Sequence, residues 1–108
     1  MLQMKIHHIL VVGKNEAIVA LLIKLVNKYP ELFALGTCEL EEVPSICQES
    51  PIDVVLFSSG LSLQQEKEMV QIVSQIHPNV KTIEHFGGGS GLLRTELNQV
   101  LGLELLSF

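Results

Sequence analysis

Short apolar runs alternate with amphipathic stretches along this chain, and that alternation narrows the possible folds more than any other feature. Residues 6–12 (Ile-His-His-Ile-Leu-Val-Val) form a β-branched run ending at Gly13, the pattern of a parallel strand covered on both faces. From Asn15, with Glu16 in the first turn, Ile18, Leu22, Leu25, Val26 and Tyr29 recur at helical spacing until Pro30. Residues 32–37 predict a second strand. Residues 43–49 predict a short helix, with Pro44 tolerated in its first turn. Residues 52–57 (Ile-Asp-Val-Val-Leu-Phe) predict a third strand, broken by Ser58-Ser59-Gly60. Ser62 and Gln65 have capping-box spacing for a helix that carries Met69, Ile72, Val73 and Ile76 and stops at Pro78. Residues 80–86 predict a fourth strand, whose Lys81 and Glu84 suit a sheet edge. A glycine-rich turn, residues 86–91, leads to a last helix with Leu93, Leu97, Val100 and Leu101, ended by Gly102. Residues 103–108 read as a fifth strand or as a tail; periodicity does not separate the two. Strands and helices in strict alternation, joined by right-handed crossovers, predict one doubly wound parallel α/β domain over residues 1–108, with helices on both faces.

Composition then removes whole classes. Of the 108 residues 47% are apolar, enough for one core without a disulfide or metal staple. Charged residues at 18% exclude disorder, which needs high charge and low hydrophobicity. Seven basic against twelve acidic side chains leave a net charge of −5, the wrong sign for tracking nucleic-acid phosphates. The longest apolar run, residues 17–23, is far below the roughly 20 residues that span a bilayer, and the first residues lack the pattern of a signal peptide. Cys38 and Cys47 are too few for a secreted scaffold, and their spacing matches no zinc site. The expectation is a cytoplasmic protein with reduced thiols, no metal, no cofactor, and neither membrane nor nucleic acid as partner.

Three segments carry a resemblance. Ile9-Leu10-Val11-Val12-Gly13-Lys14-Asn15, Ser50-Pro51-Ile52-Asp53-Val54-Val55-Leu56-Phe57-Ser58 and His77-Pro78-Asn79-Val80-Lys81-Thr82-Ile83 follow the order and spacing of the first, third and fourth strands of a receiver domain. The chain over about residues 5–90 resembles the receivers of two-component response regulators, which implies a flavodoxin-like fold. The resemblance also shows what is missing. A receiver gathers carboxylates at the ends of two adjacent strands to hold Mg²⁺ beside a nucleophilic aspartate. Here Gly13, Lys14 and Asn15 stand in the acidic-pair region and Ser58 at the acceptor position. Asp53, the sole aspartate, falls at the start of its strand, roughly 16 Å from that site at about 3.3 Å per residue. His85 or Phe86 stands where the family has its switch hydroxyl, and no lysine follows Lys81. The chain is therefore expected to be a degenerate, shortened receiver without phosphoacceptor chemistry.

Two functions from different classes follow. The first is a non-enzymatic, phosphorylation-independent interaction module in bacterial signalling or regulation. Its partner is expected to be a protein, a second copy of the chain, in a homodimer formed through the unpaired edge of the fourth strand or through the last helix. The leucine-rich C-terminal third supplies the candidate interface: Leu93, Leu97, Val100, Leu101, Leu105 and Phe108. The alternative is a small-anion or enzyme domain using the turns at the C-terminal edge of the sheet. Its candidate seats are Gly13, Lys14 and Asn15, then Ser58 and Ser59, then Gly88, Gly89 and Ser90. The glycine turn fits neither the dinucleotide nor the Walker fingerprint. Ser58 or Ser59 with His85 would lack the third group that orients a base. His7 and His8 point to opposite faces of their strand and cannot share a metal, and Glu39, Glu41 and Glu42 read as a solvated acidic surface.

Overall fold

The computed structural model describes residues 6–58, 60–84 and 89–102; for 89–94 it describes the backbone alone. In chain order the elements are β1 (His7–Val12), α1 (Glu16–Val26), β2 (Leu32–Thr37), α2 (Val43–Glu49), β3 (Val54–Phe57), α3 (Leu63–Ile76), β4 (Lys81–Glu84) and α4 (Gly89–Leu101). A 3₁₀ turn, Leu40–Glu42, leads into α2. The four strands are all parallel in the order β2-β1-β3-β4. This is the flavodoxin-like order through its fourth strand.

The two central strands read as unbroken apolar runs because both of their faces are covered. Ile9, Val11, Val54 and Leu56 point toward one helical layer, formed by α1 and α4; Ile83 and Leu97 complete that core. Leu10, Val12, Val55 and Phe57 point toward the other, formed by α2 and α3, with Cys47, Met69 and Val73. β4 buries only Ile83 of its four residues, and among the described residues nothing pairs with its outer edge. That agrees with the charges that mark it as an edge strand.

The placement of α4 matters for that edge. α1 carries the chain from β1 to β2 on one face, while α2 and α3 carry it back and outward on the other, as right-handed crossovers require. α4 lies on the α1 face. A right-handed crossover on that face leads toward β2, so α4 does not direct the chain outward past β4. The expected fifth strand or tail, residues 103–108, lies outside the described residues.

Most boundaries follow the sequence pattern, and the departures have local causes. α1 stops at Val26, three residues short of Tyr29, because Asn27 caps it: the Asn27 N–H donates to Ile23 O at 2.9 Å and its Oδ1 accepts from Ala34 N at 2.8 Å. Tyr29 is buried from the following turn instead. Gly89, Ser90 and Gly91 are not part of a loop but the first turn of α4. Glycine there costs about 1 kcal/mol per residue against alanine, and burial of Leu97, with Val100 and Leu101 partly packed beside it, offsets that cost.

Candidate functional site

In an open parallel sheet the ligand crevice lies where the strand order reverses, here between the C-terminal ends of β1 and β3. The turns after these strands do converge, and they close on each other. Ser58 is only 2% exposed. Its N–H donates to Val12 O at 2.8 Å and its Oγ donates to the same carbonyl at 3.4 Å. Gly13 stands directly over that hydroxyl: a Cβ built on it would lie 1.7 Å from Ser58 Oγ. Gly60, at φ 99°, passes Lys14 so closely that its Cβ would lie 2.7 Å from the Lys14 Cβ. Asn15 is the N-cap of α1, its Oδ1 accepting from Ile18 N at 3.1 Å. Ser58 is thus turned into the fold and packed against Gly13, which leaves Lys14 as the exposed charge of this turn. Ser59, Gly88 and His85 lie outside the described residues, and for Ser90 the backbone alone is described, in α4.

Asp53 sits at the opposite end of the sheet, where its place in the sequence puts it. It holds β3 to β1 by a reciprocal clamp. Its backbone N–H donates to His8 O at 2.8 Å, and its Oδ2 accepts from the His8 N–H at 2.8 Å. The His8 ring lies 3.7 Å away through Nδ1 and meets Phe33 edge to face, with centroids 5.9 Å apart. The other isolated polar residues are structural too. His77 Nε2–H is shared between the carbonyls of Cys47 at 2.8 Å and Ser50 at 3.1 Å, joining the end of α3 to the end of α2. Thr37 Oγ1 donates to Glu42 Oε1 at 2.8 Å, so one of the three glutamates before α2 is engaged rather than solvated. Burial, with Glu16 and Glu39 nearby, raises the Cys38 thiol and outweighs Lys14, which acts the other way; burial alone raises Cys47. Both thiols are held in the unreactive form. Among the described residues no group of three His, Cys, Asp or Glu side chains could hold a metal ion, and no helix is long and apolar enough to cross a membrane.

The leucine-rich set divides. Leu97, an interface candidate from sequence, is fully buried in the molecule's own core and is unavailable to a partner. Val100 and Leu101 pack partly against the same cluster. The side chain of Leu93, and Leu105 and Phe108, lie outside what is described.

A feature absent from the sequence reading lies at the seam of α3 and β4. A groove of about 370 Å³ is lined there by Phe57, Leu63, Glu66, Lys67, Val70, Gln71, Thr82 and Glu84. Glu66 is 7% exposed, and its Oε1 has no hydrogen-bond partner among the described residues. Burial raises its pKa above the ordinary carboxyl value, and the Glu84 carboxylate beside it raises it further. The signal was present in the pattern: Glu66 lies three residues before Met69 and seven before Val73, on the buried stripe of α3.

No protein-family model matches this chain, and no curated protein matches it in sequence. Solved structures do match in shape. A protein from Burkholderia pseudomallei described as pilus assembly-related superposes with a TM-score of 0.58 at 13% identity, over 93% of this chain and 76% of that one. The pilus assembly protein CpaE from Caulobacter crescentus superposes with a TM-score of 0.55 at 16% identity, over 89% and 77%. Together with the strand order, these likenesses establish the fold as a flavodoxin-like parallel α/β domain.

Proposed function

We propose that this domain is a receiver-like interaction module that works without phosphorylation or catalysis, in signalling or regulation or in an assembly apparatus such as its structural neighbours are named for. The observation that carries the reading is Ser58. At the position of a receiver's acceptor stands a buried hydroxyl bonded to the Val12 carbonyl and packed under Gly13. Among the described residues no carboxylate cluster stands beside it, and Gly13 closes the space over its hydroxyl. On this reading the surfaces that act are the sheet edge and the helix faces, by binding proteins. A second copy of the chain belongs among the partners of this reading.

The test is NMR of the full chain with Mg²⁺ and acetyl phosphate, and separately with inorganic phosphate. Unmoved amides at Gly13, Asn15, Ser58 and Gly60, with no mass gain, are expected. A phosphorylated species, or saturable shifts at those amides, would replace this reading with the anion-binding alternative. Light scattering over a wide concentration range tests the self-association: a monomer throughout removes the second copy from the partners.

A further inference from the structure

β4 pairs with β3 through one side only. Lys81 N–H donates inward, to Asp53 O at 2.9 Å, and alternation along a strand turns the Thr82 and Glu84 N–H groups outward. The side chains of the same two residues share a face with Val55 and Phe57, their register partners, and so stand beside α3. An outer strand would therefore meet two donors that pair with nothing among the described residues. Its side chains on this face would enter the groove that holds Glu66 and Glu84.

The groove suits one kind of side chain. Its walls are apolar at Phe57, Val70 and Leu63, the last 65% exposed. Glu66, more than nine-tenths buried, shares a side-chain hydrogen bond with Glu84, while its Oε1 has no partner among the described residues. No described lysine side chain forms an ion pair with either carboxyl, Lys67 in the groove's own lining included. A long basic side chain lays an aliphatic stem on such walls and places its charge at the acids. We propose that an extended protein segment bearing an arginine or lysine adds to the sheet at the outer edge of β4, with its basic side chain seated between Glu66 and Glu84. This is strand addition, with main-chain bonds supplying affinity and the groove supplying selection. A second copy of the chain fits worse. Symmetric antiparallel pairing of two β4 edges would set a second Glu66–Glu84 pair on the same side of the same seam. This inference rests on the interaction-module reading and names its partner.

The first experiment is amide hydrogen exchange on the dilute full chain. Thr82 and Glu84 are expected to exchange fast while Lys81 and Ile83 are protected. Protection of all four at every dilution would overturn the proposal, because the edge would already be covered within the chain. Protection that appears only on concentration would overturn it in favour of a second copy. The second experiment titrates an acetylated, amidated peptide Thr-Val-Thr-Arg-Val-Thr against the protein. Shifts at Thr82, Glu84 and Glu66, with new protection of the outward amides, are expected. Changing the peptide arginine to glutamate should abolish binding, and Glu66→Gln or Glu84→Gln should weaken it about tenfold or more. A peptide that fails to bind, or binds alike with arginine or glutamate, overturns the basic partner. The phosphate titrations at Gly13 and Ser58 are read separately, so the module reading survives or falls by its own result.

Discussion

The two turns at the ends of β1 and β3 and the seam between α3 and β4 are both polar places on the same sheet, yet the first is closed and the second is a groove. At the first, the Ser58 hydroxyl has the Val12 carbonyl, Asn15 has its helix, and Gly13 and Gly60 leave room for the Ser58 and Lys14 side chains to pack against them. At the second, a nearly buried carboxyl has an oxygen without a partner and a like-charged neighbour. A polar group satisfied from within stabilises the fold, and one left unsatisfied costs stability unless something else meets it. The first place meets its polar groups from within; the second leaves one oxygen unmet among the described residues.

The sharpest way to break the comparison is Gly13→Ala. Its methyl group would collide with Ser58 Oγ, and an expected loss of about 2–3 kcal/mol is read from denaturant unfolding. Adding Ser58→Ala should recover much of it, since the nearest remaining atoms then lie at 3.1–3.2 Å. A fully tolerated Gly13→Ala would mean that the crevice is open after all. Next comes Asp53→Ala, which removes the clamp on the His8 N–H. A loss of about 2 kcal/mol is expected, with no change in acetyl phosphate labelling.

Glu66→Gln sharpens the other side and should act in the opposite direction, raising stability at neutral pH by about 1 kcal/mol. The pH dependence has a definite sign. The folded-state pKa of Glu66 lies above its ordinary 4.5, so folding favours its protonated form. That contribution is complete below the ordinary value and disappears as pH rises through the folded one. Thermal melting across acid to neutral pH should therefore show a fall in the natural chain that Glu66→Gln lacks. The smallest effect is expected from Asn15→Ala, about 1 kcal/mol or less, as loss of a helix cap and of nothing else.

Where the information was local, the sequence was readable. The Ser62–Gln65 capping box forms as its spacing predicts, and α2 begins at Val43 with Pro44 in its first turn. β2 occupies residues 32–37, and β4 is an edge strand. What depended on approach between distant segments was not readable. That Ser58 turns inward follows from Gly13 lying above it, 45 residues earlier in the chain. Leu97 reads as a surplus leucine until α4 is known to share a face with α1. Glu66 is the intermediate case. Its place on the α3 stripe predicts burial, but the Glu84 carboxylate beside it follows only from the pairing of β4.

The shortness of α2 sets an order of events. Seven residues are too few to sustain a helix in water, because nucleation costs more than two turns return. This one is pinned at both ends by groups from elsewhere. Thr37 holds Glu42 ahead of it, and His77 grips the Cys47 and Ser50 carbonyls at its close. α2 can therefore form only after the end of β2 and the end of α3 have reached their places. It follows β2 and α3 in folding, and its amides should lose protection before those of β1 and β3.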